Sequence, residues 1–429
     1  MNWLVFGEDW QGLISTTRHL ATAMLAAGDR VVWVNSLGMR SPGLNRRDLL
    51  RLVQKARACS RTEPGKEAGS ETRGPDVVIS PRILPFHRLS MCRRLNRRLL
   101  GRQLRPCLAS FPPEETIVLS SNPVAAYYLP ERYKGLVYLR LDDYPRLPGV
   151  DHVLARVSEA RIMELADLIA VTARPLLPLD VSNHGVRYQC LAHLPSGKRL
   201  QGAGDARHRP AMCTFVHEQA DNTADSVSCD RLPLDERPAA RSLYLPQGVD
   251  LRHFATVPLE PPRGRTLGFF GFLAEWIDYE LIMQTAVLLP DWTLELRGEA
   301  RYVPDRLAAH GNIKLLPPVP YSGLPAVIAH WDAAWLPFQR SALTEAVNPL
   351  KVREYLAAGL PTVSVGLPEV LSLPYVKIIV TAADVATALP EMVAGDSPDR
   401  RRDRRNSVRE HGWEERCRVL KETLASRCP

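Results

Sequence analysis

Apolar residues in this chain come in short uninterrupted runs separated by stretches with helical spacing. Trp3 to Phe6 is the first run; a loop with Gly7 and Gly12 follows, then apolar positions at helical intervals from Ser15 to Ala27. After Gly28 comes a second run, Arg30 to Val34, so the chain opens with one β-α-β unit of a parallel sheet. Thr116 to Leu119, Leu136 to Arg140 and Leu168 to Val171 read as further buried strands, with helical stretches over 123–128 and 153–165 between them. From Pro175 to Ser242 the periodicity fails, and the segment reads as an irregular insertion or linker. Regularity returns with strands at Leu267 to Phe270, Trp292 to Arg297, Ile313 to Leu315, Ala333 to Leu336, Thr362 to Val365 and Val376 to Val380. Helical spacing at 279–289, 324–329, 349–358 and 382–393 alternates with them. The pattern predicts an α/β protein of two doubly wound, Rossmann-like parallel-sheet domains. Residues 1–174 form the first, 175–243 the insertion, 244–398 the second, and 399–429 a C-terminal helix. Open sheets of this kind bind ligands outside the carboxyl ends of their strands, so the cleft between the facing domains is the expected site.

Composition narrows the partners. With 45% hydrophobic and 24% charged residues, the 429-residue chain is ordinary globular material. It has no apolar run near the ~18 residues of a spanning helix and no signal-peptide core after Met1, so a cytoplasmic location is expected. Eight scattered cysteines without a C-x-x-C pair fit reduced thiols. The net charge of +8 is unevenly spread: residues 40–106 hold seventeen Lys and Arg against five acids, which leaves the rest of the chain slightly acidic. In that segment Met91, Leu95 and Leu99 share one helical face while Arg93, Arg94, Arg97 and Arg98 crowd the others. A basic amphipathic helix of this kind suits peripheral docking on an anionic membrane; the alternative is a solvated helix packed on the core. Nucleic acid is not expected as a partner, because the basic stretch carries neither zinc-finger spacing nor an RNA-recognition motif. Cys190, His193, Cys213, His217 and Cys229 lack a second regular pair, so no metal site is assigned.

The richest chemistry lies in Glu345 to Val365. Asn348 is a good N-cap and Pro349 a good first helical residue, which predicts a helix whose free amides favour an anion. Lys351 in its first turn adds a positive charge for a diphosphate, and Glu354 one turn on can accept hydrogen bonds from sugar hydroxyls. Helix pattern alone favours a capped surface helix with a solvated Lys351–Glu354 pair. Asp142 and Asp143 follow an apolar strand and so face the cleft, as a general base or as a turn-forming pair.

The run Asn348-Pro-Leu-Lys351-x-x-Glu354-Tyr-Leu-Ala-Ala-Gly359-x-Pro361 resembles the nucleotide-sugar-binding segment of GT-B glycosyltransferases of the group 1 type, especially bacterial exopolysaccharide and cell-wall polymer enzymes. Leu245-Pro-Gln-Gly-Val-Asp250-Leu-Arg-His-Phe254, the strand and loop Leu267 to Asp278, Asn312-Ile-Lys-Leu-Leu, Pro320-Tyr321 and Trp331-Asp332 through Phe338 fit the same family in order and spacing. So do Leu136 to Tyr144 and Ala166 to Thr172 in the first domain. The resemblance implies a UDP- or GDP-sugar donor as substrate, no cofactor, and a carbohydrate or lipid-linked acceptor. Gly271, Asn348, Pro349, Lys351, Glu354 and Glu345 would lie on the donor side, Gly7, Asp9 and Gly12 on the acceptor side, and Asp142 or Asp143 would be the base in an inverting transfer. Two departures stand out. Ala346 occupies the position of the family's first glutamate, one residue from Glu345, and the loop after Gly271 lacks the usual Arg and Lys. Reliance on a single lysine resembles the xanthan-type glucuronosyltransferases. A nucleotide-sugar epimerase of GT-B fold and a catalytically silent glycan- or lipid-binding scaffold are the alternatives.

Overall fold

The computed structural model describes residues 1–39, 73–178 and 241–426. Two all-parallel sheets organise them. The first has seven strands in the order β3-β2-β1-β4-β5-β6-β7: β1 (Asn2–Phe6), β2 (Arg30–Val34), β3 (Val77–Ile79), β4 (Thr116–Ser120), β5 (Gly135–Arg140), β6 (Leu168–Val171) and β7 (Arg241–Tyr244). The second has six, in the order β10-β9-β8-β11-β12-β13: β8 (Thr266–Phe270), β9 (Thr293–Arg297), β10 (Ile313–Leu316), β11 (Ala333–Leu336), β12 (Thr362–Val365) and β13 (Val376–Ile379). The helices are α1 (Thr16–Ala26), α2 (Ser90–Leu108), α3 (His152–Leu165), α4 (Leu251–Phe254), α5 (Tyr279–Leu288), α6 (Leu324–Ile328), α7 (Ala342–Glu345), α8 (Leu350–Ala358), α9 (Ala382–Ala394), α10 (Pro398–Ser407) and α11 (Trp413–Ala425). Central strands β1, β4 and β8 are buried along their whole length, which is why the chain shows continuous apolar runs rather than alternation. In both sheets the strand order reverses beside the first strand, between β1 and β4 and between β8 and β11. Each reversal opens a crevice at the carboxyl ends.

The first domain is longer than the sequence pattern indicates. β7, three of whose four residues fall inside the predicted 175–243 insertion, pairs with β6 in the register Leu168↔Arg241 to Val171↔Tyr244. An edge strand needs one neighbour and little apolar content, and Leu243 alone of its two central residues is fully buried. The predicted C-terminal helix is two helices. α10 packs on α8 of the second domain, whereas α11 returns to the first, placing Trp413, Cys417, Leu420 and Leu424 in one core with Trp3, Leu20 and Met24. Lys421 Nζ on α11 binds both carboxylate oxygens of the buried Asp29, at 3.0 and 2.8 Å.

Helix α2 turns its Met91–Leu95 edge outward and packs on the first domain through a neighbouring face. Asn96, Leu100 and Leu104 are buried, while Met91 and Leu95 are exposed and Leu99 is half-buried. The reason is polar: Asn96 accepts from the Leu84 N–H and donates to the Leu84 carbonyl, both at 2.7 Å, so the amide pins the incoming chain and rotates the apolar 91/95 edge outward. The cysteine and histidine residues between Cys190 and Cys229, and the basic residues from Arg40 to Lys66, lie outside the described residues.

Candidate active site

Two glycines bring the donor-side loops together. Gly271, just after β8, and Gly298, just after β9, have φ of +144° and +156°. A Cβ on Gly298 would lie 1.7 Å from the Gly271 carbonyl oxygen, and one on Gly271 would lie 2.2 Å from Cε and 3.0 Å from Nζ of Lys351. Backbone leaves room only for hydrogen at Gly298, and the positive φ of Gly271 itself favours glycine, so the lysine from α8 rests directly on the backbone at the end of β8. Lys351 is desolvated there, which lowers its pKa, with Glu354 acting in the opposite sense. Burial lifts the Glu354 carboxyl to about 7, against the stabilising charge of Lys351; Asp250 adds a smaller upward push. At neutral pH this carboxyl can therefore both donate and accept hydrogen bonds. Arg301, which no motif singled out, stacks its guanidinium 3.5 Å from the centre of the Phe272 ring and pairs with Glu299 at 3.2 Å. It supplies a base beside the loop that contains none, from the neighbouring β-α connection.

Three expectations for the segment before α8 change. Asn348 is not the N-cap: Pro349 holds that position, makes no side-chain cap, and Leu350 is the first helical residue. The Asn348 side chain is spent elsewhere, donating to the Thr172 carbonyl of the first domain at 2.7 Å and to Glu369 at 3.1 Å. Glu345 does not point into the crevice but pairs at the surface with Arg340, at 3.2 Å, which also occupies that arginine. Ala346 is buried against the first domain's core, where a longer acidic side chain would meet apolar neighbours.

Across the cleft, the loop after β1 meets the end of β5. Asp142 sits near Glu8, and burial first, then the charges of Glu8 and Asp143, raise its pKa to about 6. Asp143 is drawn aside by Arg146 at 3.2 Å, so the two adjacent acids are not equivalent. Glu8 is oriented by the Ser15 hydroxyl, which donates to it at 2.7 Å, and Ser15 also caps α1. Tyr144 is buried beside Asp142 and donates to the Ser121 carbonyl at 2.6 Å. The other acceptor-side residues shape this loop. A Cβ on Gly7 would strike the Trp33 ring at 2.4 Å; Gly12 donates its N–H to the Asp9 carbonyl at 2.8 Å; and the Asp9 carboxylate accepts from Ser36 N–H at 3.2 Å.

The two halves touch. Thr16 of α1 donates to Gln247 at 2.7 Å, and His19 stacks on Trp413 with centroids 4.9 Å apart and meets Tyr321 of the second domain edge-on at 5.2 Å. Burial, followed by the charges of Arg18 and His253, drops the His19 pKa to about 3, so its ring stays neutral. The cleft thus has a half-buried lysine and a protonatable carboxyl on one wall and a carboxyl with a raised pKa on the other. Among the described residues, no three His, Cys, Asp or Glu side chains converge as metal ligands.

Of the basic residues on α2, Arg94, Arg97 and Arg98 are exposed, whereas Arg93 lies over the Tyr127 ring and donates to the carbonyls of His87 and Arg88. No helix among the described residues is long and apolar enough to cross a membrane.

Two facing Rossmann-like domains, with a terminal helix returning from the second to the first, are the GT-B fold. Solved structures agree over nearly the whole chain. Sucrose-phosphate synthase from Thermosynechococcus elongatus superposes with a TM-score of 0.59 at 12% identity, covering 99% of this chain and 98% of that one. Anabaena HepE in complex with UDP and glucose gives 0.57 at 12%, covering 99% of each, and TarM 0.58 at 8%, covering 99% and 98%. In sequence, the chain is 30% identical over 222 residues to the Bacillus subtilis (strain 168) protein named "Putative teichuronic acid biosynthesis glycosyltransferase TuaH". That alignment takes in 44% of this chain and 54% of the relative, so the chain spans about half the length of the curated protein it matches. No protein-family model matches.

Proposed function

We propose that this protein is a glycosyltransferase that moves a sugar from a nucleoside-diphosphate donor to a carbohydrate or lipid-linked hydroxyl in bacterial polysaccharide biosynthesis. The observation that carries the reading is Lys351 seated on the Gly271 backbone beside Glu354, in the crevice of a second domain whose first-domain partner presents Asp142. A departing nucleoside diphosphate gains negative charge, and a desolvated lysine plus the first-turn amides of α8 stabilise that charge more in the transition state than in the ground state. Glu354 suits the hydroxyls of the nucleotide's ribose. Asp142 accepts the proton of the acceptor hydroxyl as it attacks, while Asp143, paired with Arg146, does not. The chemistry asks only for positioning and proton transfer, so no cofactor is included. HepE, which shares the fold, is described with UDP-glucose, and the B. subtilis relative is named for teichuronic acid biosynthesis; both favour a UDP-sugar and a polymeric acceptor.

A panel of UDP- and GDP-sugars, with released nucleoside diphosphate and product followed by NMR, tests the reading. Acceptor-dependent transfer supports it. Conversion of the donor sugar to its epimer without acceptor, or neither binding nor turnover of any donor, sinks it.

The exposed edge of α2 favours peripheral attachment to an anionic membrane on the cytoplasmic side. Leu89, Met91 and Leu95 are exposed by 55%, 76% and 45%, next to Arg94, Arg97 and Arg98, and the helix contains no acid. Apolar side chains flanked by arginines match the boundary between headgroups and acyl chains, with each basic residue near the surface contributing about 1 kcal/mol. Replacing Arg94, Arg97 and Arg98 by Glu is expected to abolish sedimentation with phosphatidylglycerol vesicles at low salt, with neutral vesicles as the control. Unchanged sedimentation of the triple variant rejects α2 as the anchor.

A further inference from the structure

Glu369 is a buried carboxylate that no step above uses. It sits in the turn after β12, fully shielded from solvent, and gathers donors from both domains. Its Oε1 accepts from the Arg174 N–H at 2.6 Å; its Oε2 accepts from Asn348 Nδ2 at 3.1 Å and from the Tyr244 hydroxyl, with the Arg174 guanidinium 3.7 Å away. Arg174 also lies over the Tyr244 ring, 4.4 Å from its centre. Asn348 is held on all sides: its Nδ2 donates to Thr172 as well, and its Oδ1 accepts from the buried Arg353. Thr172 and Arg174 lie in the chain just beyond the carboxyl end of β6, and Tyr244 ends β7, both strands of the first sheet. Asn348, Arg353 and Glu369 belong to the second domain, and Asn348 stands three residues before Lys351 and six before Glu354.

From this juxtaposition we infer that Glu369 is a positioning residue for the transfer reaction: through Asn348 and Arg174 it fixes the register between the first domain and the helix that carries Lys351 and Glu354. The inference rests on the glycosyltransferase reading above. A buried carboxylate is strongly unfavourable without its full set of donors, and those donors converge only in one relative placement of the domains. The clasp therefore selects the arrangement in which the Lys351 wall faces the Asp142 wall. Glu369 touches neither reacting group, and both groups assigned to the donor lie within the second domain. Losing the clasp should consequently leave donor binding intact while spoiling the alignment needed for transfer.

Glu369→Gln keeps the shape but turns one oxygen into an NH2, which must face the donors of Arg174 or those of Asn348 and Tyr244. Tyr244→Phe is the milder second variant, removing one hydroxyl at a partly exposed site. For Glu369→Gln the expected result is a fall in turnover at saturating donor of roughly tenfold or more, with UDP affinity by calorimetry within about twofold of the parent. Tyr244→Phe should show a smaller fall in the same direction. Amide hydrogen exchange supplies a readout independent of activity: exchange over 172–176 and 346–350 should quicken in both variants, with the β8–β11 core unchanged. UDP affinity falling in parallel with turnover, or activity that tracks only the folded fraction, overturns the inference, as does unaltered exchange at Arg174. If the parent itself transfers no sugar, the functional reading fails on that ground alone, and the exchange pattern still decides whether Glu369 sets the domain register.

Discussion

Lys351→Met is expected to lower kcat/KM for the nucleotide sugar by roughly 30- to 3000-fold, the range that corresponds to losing one partner of a buried charge pair worth about 2–5 kcal/mol. Two effects add. The diphosphate loses the one cation that the structure seats on the Gly271 backbone, and Glu354 loses the positive neighbour that holds its pKa down. With the lysine gone, Glu354 should titrate above its present value of about 7 and be mostly protonated at neutral pH. The folded protein binds this proton more tightly than the unfolded chain does. Glu354 therefore favours the folded state below its ordinary carboxylate range, and that contribution is lost as pH rises through about 7. Lys351→Met extends the loss to higher pH, so the variant should be most handicapped in stability on the alkaline side. Lys351→Arg should not rescue activity, because a guanidinium is broader than the space left by a glycine whose Cβ would already meet Lys351 Cε at 2.2 Å. Steady-state kinetics with UDP calorimetry checks these points. A loss below about fivefold in kcat/KM, or full rescue by arginine, would remove Lys351 from the donor site.

The parts of this site that were legible in the sequence are those fixed by short-range spacing. Lys351 and Glu354 lie one turn apart on a helix bounded by Pro349 and Gly359, and the strands around them are continuous apolar runs, so their placement follows from local pattern. Asn348 shows where such reasoning stops. Its composition and position fit an N-cap, but its partners are Thr172, 176 residues away, and Glu369, 21 residues on, and the buried interdomain contact takes precedence over the local cap. The same limit applies to Glu8 and Asp142, which only the parallel packing of β1 and β5 on either side of β4 brings near one another. On α2, local pattern left open whether Met91 and Leu95 face outward or pack on the core; the buried Asn96, satisfied by both backbone groups of Leu84, sets the helix rotation that turns them outward. β7 was hidden for a simpler reason: an edge strand of four residues needs a neighbour more than it needs a pattern.

The Asp142 carboxyl makes a second prediction of comparable size. If it takes the acceptor proton, Asp142→Asn should lower turnover by roughly 10²- to 10⁴-fold, the usual contribution of a positioned general base. Asp143→Asn should cost far less, since Arg146 already holds that side chain away from the task. The active form is the ionised one, so kcat/KM for the parent should climb with pH and level off above about 6, with a slope near tenfold per pH unit below that point. Burial is the main cause of the raised pKa, and the negative charge of Glu8 comes next, so Glu8→Gln should move the ascending limb to lower pH without abolishing it. Folding responds with the opposite sign. Asp142 holds its proton more firmly in the folded protein, and the stability this supplies is present below about pH 4 and lost as pH rises through about 6. Above that pH the neutral amide of Asp142→Asn should therefore make the variant more heat-stable than the parent while leaving it nearly inactive. Functional sites commonly give up stability for reactivity in this way, and a carboxyl kept only for structure would show no such inverse relation. Turnover that survives the Asp142→Asn substitution would show that Asp142 is not the base and would point to a transfer that retains configuration.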